Sequence, residues 1–294
     1  MRVTNRMIAQ TVLNNLGINM NKLQKQQDQM SSLHVVARTS DDPVIATRVL
    51  TLNSVLKQHD QYERNIGDAL GWVQTTENTL GNLNDVLQRA RELAVYGANG
   101  TLDQAGREAI AMEIEQIFDN VAQLANTSYA GRYIFGGTMT ATRPFDSAGG
   151  YSGNSGADGR MDWEISQGMT MTVNIDGEVA FSNTGIFTTL DNLKTHLQSG
   201  DIVSIGGADL AGLDTAINDV LNLRASLGAK ANRLETAQKQ AGDEKINYEA
   251  LVSKLNDVDL ARLVTDFKLQ ENVYQAALDV GARILKPTLV DFLR

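Results

Sequence analysis

Residues 40–49 read SDDPVIATRV, and their order sets up everything that follows. Asp42 has a short carboxylate able to accept hydrogen bonds from the free N–H groups of a helical first turn. Pro43 fits the first helical position, where its missing donor costs nothing. The acidic pair Asp41 and Asp42 also suits the positive end of a helix dipole. A strong cap at Asp42 and Pro43 therefore explains the motif better than a catalytic carboxylate pair. From Pro43 onward, apolar residues recur at three- and four-residue steps through Val49, Leu52, Leu56, Ile66, Leu70, Val73, Leu80 and Leu87. That spacing belongs to a helix lying along other helices. Running to about Tyr96, such a helix would be roughly 80 Å long. Gly67, Gly71 and Gly81 weaken it, so packing must hold it together.

Toward the N-terminus the same spacing runs through Leu13, Leu16, Met20 and Leu23, lapses at Gln27 and returns at Met30. Between the two helices, SSLHVVARTSDDP reads as a non-helical connector. Toward the C-terminus, YGANGTLD stops the long helix at Gly97 and Gly100, and Thr101 or Asp103 caps the next one. Ile110, Ile114, Ile117, Val121 and Leu124 continue that next helix, and the short turn predicts an antiparallel pair.

After NTSYAG the pattern changes. RYIFGG reads as a strand closed by a turn, and eight glycines fall between 131 and 159, where the helical period is lost. MDWEIS, MTMTVNIDGEVAFS and GDIVSIGG are strand-like, with a hairpin expected around Asp176-Gly177. TLDNLKTHLQS is a short helix among them. Helical spacing resumes at Leu213, Ile217, Val220, Leu227 and Leu234 and slips near KLNDVDLAR. A new series then begins: Leu260, Leu263, Phe267, Tyr274, Ala277 and Ile284. A slip of this kind marks a junction between packing environments.

The expected fold is mainly α with a β-rich insert: paired N- and C-terminal helices, a long antiparallel helical bundle and an outer small β domain. Its parts are a terminal helical domain (1–42 plus 257–294), a helical bundle domain with a β-hairpin element (43–137 plus 208–256), and a β-rich outer domain (138–207).

Composition narrows the function. The net charge of −9, with 35 acidic against 26 basic residues, argues against nucleic acid, whose binding rests on phosphate neutralisation. The absence of cysteine removes disulfides, thiolate catalysis and zinc-thiolate sites. No run of 18 apolar residues spans a membrane, and the N-terminus lacks the apolar core of a signal peptide. His34, His59 and His196 fall in different predicted elements without metal-ligand spacing. IGGADLAG has glycines but no Walker lysine or dinucleotide fingerprint after it. Asp176-Gly177 lacks the alternating carboxylates of a calcium loop. Trp163, Glu164, Tyr151 and Asp162 could mark a catalytic or carbohydrate-binding insert. They are few, and no placed acid/base pair stands out. A signalling coiled coil fits the β insert poorly. No cofactor or metal is expected.

RTSDDPVIATRV, YGANGTLD, LANTSYAGRYIFGG, LRASLGAKANRLE and YQAALDVGARILKPTLVDFLR occur in this order. Together they resemble the bacterial flagellar hook-associated protein 3 family, which is related to flagellin. The resemblance covers both ends and most of the helical body, leaving about 138–212 weakly matched. GRYIFGG after LANT favours the junction protein; flagellin itself is the alternative. Leu33, His34, Val35 and Val36 depart from the Ser/Thr-Gly-Lys-type turn usual before SDDP.

The resemblance implies a flagellin-like, non-enzymatic, extracellular subunit joining hook to filament. It would be exported by the flagellar secretion apparatus without a cleaved signal peptide. Its implied partners are another hook-associated junction protein, flagellin, copies of itself in a ring, and an export chaperone at the C-terminal region. Nucleic acid and membrane are not among them. The expected assembly contacts are the two terminal seams, Leu13, Leu16, Met20, Leu23 and Met30 with Leu260, Leu263, Phe267, Tyr274 and Ile284. To these is added the apolar tail of Leu285, Leu289, Val290, Phe292 and Leu293. Burying that tail gains about what fixing its backbone costs, so it is expected to order only against neighbouring chains.

Overall fold

The computed structural model describes residues 5–36 and 38–284, without the side chains of Asn5, Arg6, Ile8 and Ile284. Two compact units divide the chain: Met1–Gln58 with Glu244–Arg294, and His59–Asp243.

The first unit is built on α1 (Asn5–Ser32) and α7 (Leu260–Ile284). It also takes the start of α2 (Pro43–Gly97) and the end of α6 (Leu210–Asn256). Asp42 Oδ1 accepts from the backbone N–H of Val44 and of Ile45, each at 3.0 Å, and Pro43 is the first helical residue. Two orphan donors of the first turn are thereby satisfied.

The second unit packs α2 and α6 with α3 (Gln104–Ala125). Ile66, Trp72, Leu80, Leu83, Leu87, Ile114, Val121, Leu213, Val220 and Leu227 are buried in one continuous core. Asp103 caps α3 by accepting from Gly106 N at 2.9 Å. Buried Thr76 and Thr79 satisfy themselves on the carbonyls of Trp72 and Thr75, each at 2.8 Å, the back-bonding that lets a hydroxyl sit inside a helix.

The hairpin following α3 is short. β1 (Ser128–Tyr129) pairs antiparallel with β2 (Arg132–Tyr133), turning through Ala130 and Gly131 at φ 50° and 78°, the positive values a tight hairpin turn requires. The strand expected along RYIFGG thus ends at Tyr133, and Ile134 and Phe135 drop into the core. Tyr129 lies edge-on to Trp72, ring centroids 6.1 Å apart, and the Arg132 guanidinium sits over Trp72 at 5.7 Å.

Within 138–207 only one hairpin forms, β3 (Asp162–Ser166) with β4 (Met169–Thr172). Two expectations fail here. The hairpin placed at Asp176-Gly177 is instead a π-helical turn, Glu178–Ser182. Gly177 has φ −63°, not the left-handed value of a hairpin turn, and the Asp176 carboxylate accepts from Glu178 N at 2.9 Å, starting a helical turn. GDIVSIGG is also helical. Asp201 accepts from Ser204 N at 3.2 Å and Ser204 Oγ at 2.6 Å, which caps α5 (Ile202–Ser204). A π-helical turn, Ile205–Asp209, then leads into α6.

The segment is held by aromatic packing rather than by a sheet. Phe135 and Phe181 lie 4.9 Å apart, Phe145 and Phe181 5.2 Å, and Phe118 of α3 and Phe187 of α4 (Ile186–Ser199) 5.3 Å. Edge-to-face pairs of this kind add about 0.5–1.5 kcal/mol each beyond burial.

Candidate assembly interface

α1 and α7 run antiparallel. Val258 N donates to Leu33 O at 3.2 Å, Gln270 Nε2 to Asn19 Oδ1 at 3.3 Å, and Gly281 faces Val12, where an added Cβ would lie 3.0 Å from Val12 Cγ1. The face of α1 turned to α7 is Val12, Leu16, Asn19, Leu23, Gln26 and Met30, all partly buried. The face of α7 turned to α1 is Leu263, Phe267, Gln270, Tyr274, Ala277 and Gly281, of which Leu263 and Gly281 are fully buried. The seam is apolar but broken by amides. Gln26 Oε1 is buried without a hydrogen-bond partner among the described residues, a state that costs roughly 1–3 kcal/mol.

The connector between α1 and α2 is clipped to the end of α6. Asn256, nearly buried, accepts from Val35 N at 2.6 Å through its carbonyl and from Val36 N at 3.2 Å through Oδ1. Leu33 takes the left-handed backbone at φ 61°, and His34 forms a β-bridge with Asp257. Lys25 with Asp41 at 3.5 Å and Arg38 with Asp28 at 3.4 Å fold the rest of the connector onto α1.

Around the packed seam, the outer faces of the pair stay apolar. On α7 a second row, Leu269, Val273, Ala276 and Val280, repeats the four-three-four spacing and is exposed throughout, Leu269 by 64%. On α1, Leu13 and Met20 are 54% and 53% exposed. A groove of about 710 Å³ lies between the helices, lined by Met20, Leu23, Gln27, Phe267, Tyr274 and Leu278, among others. Scattered exposed apolar residues are ordinary, whereas a periodic row along a helix is the pattern of a surface that meets another helix.

Of the residues named from sequence, Leu16, Leu23, Met30, Leu263, Phe267 and Tyr274 lie in the packed seam, Leu13 and Leu260 face outward, and the exposed Met20 lines the groove beside the seam. The side chain of Ile284, and Leu285, Leu289, Val290, Phe292 and Leu293, lie outside the described residues. Sequence reasoning missed Asn256 and the row Leu269–Val280. The register slip at KLNDVDLAR pointed at the first. The second carried a heptad signal offset from the seam already counted.

Among the described residues no group of three or more His, Cys, Asp or Glu is placed to hold a metal ion, and no helix is long and apolar enough to cross a membrane. The geometry is that of helix packing. Two family profiles match the sequence: the bacterial flagellin N-terminal helical region over residues 3–140, and the C-terminal helical region over 210–293. The chain belongs to the flagellin family.

Within that family it is similar to the flagellar hook-associated protein 3 of Salmonella typhimurium, 28% identical over 94% of this chain and 95% of that protein. Flagellin of Bacillus subtilis is 29% identical over 94% of each. The crystal structure of Bacillus cereus FlgL superimposes with a TM-score of 0.61 at 27% identity, covering 69% of this chain and 99% of that one.

Proposed function

We propose that this chain is a structural subunit of the bacterial flagellum that joins the hook to the flagellin filament by lateral and axial packing of its terminal helices. The observation that carries the reading is the surface of α7. One apolar row is spent on α1, while the row Leu269, Val273, Ala276 and Val280 stands exposed along the helix. Burying each large member gains about 1.5–3 kcal/mol, which rewards assembly over the isolated subunit. The likeness to hook-associated proteins in both sequence and structure supports the junction reading.

In this reading 1–42 with 257–294 form the inner helical layer, 43–137 with 208–256 the middle layer, and 138–207 the outer part. The hook side contacts another hook-associated protein, the filament side contacts flagellin, and identical copies close a ring. An export chaperone covers the C-terminal region before assembly. The chain leaves through the flagellar secretion apparatus.

Electron microscopy of a deletion strain, with flagellin assayed in the medium, tests this. Hooks without filaments and flagellin shed into the medium are the expected result. Intact hooks and junction proteins with no flagellin anywhere would make the chain the filament subunit, a reading to which the similarity to Bacillus subtilis flagellin lends weight. Normal filaments would overturn both.

A further inference from the structure

The sequence offers three Asx-Gly pairs at which a backbone nitrogen can attack the preceding side chain: Asn99-Gly100, Asp158-Gly159 and Asp176-Gly177. The structure separates them. Asp176 is tied by Glu178 N at 2.9 Å and Gly156 N at 2.8 Å, and Gly177 is buried, with a Cβ there colliding with Phe135 O. Gly159 is likewise buried, against Asn154 O. Asn99 and Gly100 are both exposed, in the turn between α2 and α3, and nothing lies within 4 Å of the position a Gly100 Cβ would take.

The local bonds around Asn99 favour reaction. Its Oδ1 accepts from Thr101 N at 3.1 Å and from Thr101 Oγ1 at 2.9 Å. The ring closed by the first bond contains both Asn99 Cγ and the Gly100 nitrogen, so the reacting atoms share one small loop. Both donors point at the oxygen on which negative charge develops when Cγ becomes tetrahedral, the arrangement that stabilises acyl-transfer intermediates. Asn99 Nδ2, the leaving group, makes no hydrogen bond among those found for the described residues.

We propose that Asn99 is a self-modification site, converted without an enzyme to a mixture of aspartate and isoaspartate. The Gly100 nitrogen gives its proton to water or hydroxide and bonds to Cγ. The Cγ–Nδ2 bond breaks, and ammonia leaves after taking up a proton. Water then opens the cyclic imide at either carbonyl. Asparagine and one water become an acid and one ammonia, with no redox partner. Opening to aspartate keeps the Thr101 bonds and adds a charge. Opening to isoaspartate lengthens the main chain by one carbon and displaces the turn bond from Leu102 N to Asn99 O, now 3.1 Å. The site thus provides a chemical record of the age of the protein.

The test is incubation of the full chain in mildly alkaline buffer, followed by mass spectrometry of tryptic peptide 92–107 with chromatographic separation of the two acids. Asn99 is expected to convert before any other asparagine, as fast as in the free peptide or faster. Gly100→Val, whose branched side chain obstructs the nitrogen where the fold has room for it, should slow conversion about tenfold or more. Thr101→Ala should slow the folded chain and leave the free peptide unchanged. Conversion first at another asparagine, a folded rate well below that of the peptide, or indifference to both variants would each overturn the proposal.

Discussion

His196 Nδ1 lies 2.7 Å from Asp209 Oδ2, and the Asp209 side chain is only 4% exposed. The pair joins the last turn of α4 to the π-helical turn that opens α6. A polar side chain taken from water in this way depends on its partner, and removing the partner leaves it without its hydrogen bond.

His196→Ala should therefore destabilise the second unit by about 1–3 kcal/mol, read as a lower urea midpoint. Asp209→Asn keeps a hydrogen-bonding group opposite His196, so it should cost less than His196→Ala. The reverse order would mean that the pair is not what holds the turn.

Lys230 donates to Asn174 O at 3.3 Å. Its ammonium is held below the usual lysine range by burial and, secondarily, by the nearby Arg160 guanidinium. The folded state binds that proton more weakly than the unfolded state does. Below the folded value this carries a constant penalty, which disappears as pH rises past the unfolded lysine value of about 10.4. Lys230→Met should stabilise the protein at neutral pH, and the gain should shrink toward pH 10. Denaturant titrations of both proteins across that range check it.

The Tyr151 phenol donates to Asn154 O at 2.9 Å. Burial first, then the Asp176 carboxylate, push its ionisation above the usual tyrosine range. In ultraviolet titration it should be among the last tyrosines to ionise. Tyr151→Phe should delete that late phase and cost about 1 kcal/mol. The pH sign is opposite to that of Lys230: stability held by the neutral phenol is complete below the unfolded value of about 10 and is lost as pH rises through the folded one.

A Cβ on Gly71 would overlap the Tyr129 hydroxyl and press on its ring. Gly71→Ala gains up to ~1 kcal/mol of helix propensity but must displace Tyr129 from its edge-on contact with Trp72. We expect a net loss of about 1–2 kcal/mol with a shift in tryptophan emission. A stabilised variant would show that the hairpin yields freely.

The two faces of α7 should respond differently. Leu263→Ala, in the packed seam, should destabilise the first unit by about 2–4 kcal/mol. Val273→Asp, on the exposed row, should leave monomer stability within about 0.5 kcal/mol while abolishing motility in a complemented deletion strain. Normal swimming with Val273→Asp would remove that row from the assembly surface.

The helices were legible because their signals are local and redundant. SDDP starts α2 through a cap that needs no tertiary contact, and the three-four spacing persists over many turns. The insert was misread where one side chain outweighs pattern. Val-Ala-Phe and Ile-Val-Ser-Ile suit strands, yet the Asp176 carboxylate holds Glu178 N at the start of one helical turn and Asp201 caps the other. At the terminal pair, spacing located the seams but not their orientation. Leu16 and Leu23 meet α7 while Leu13, in the same register, points away and Met20 only lines the edge of the groove, with Asn19 and Gln26 in the neighbouring positions on the packed side.

The hydrogen bond between Asn19 and Gln270 spans 251 positions of sequence, and this has a kinetic meaning. Contacts so distant along the chain bear the largest loop-closure entropy and reward it latest. The helices of His59–Asp243 meet neighbours nearer in sequence and do not wait for the ends. The α1–α7 pair is therefore expected to form late and open early, and its amides should exchange with deuterium ahead of those along Ile66–Leu87.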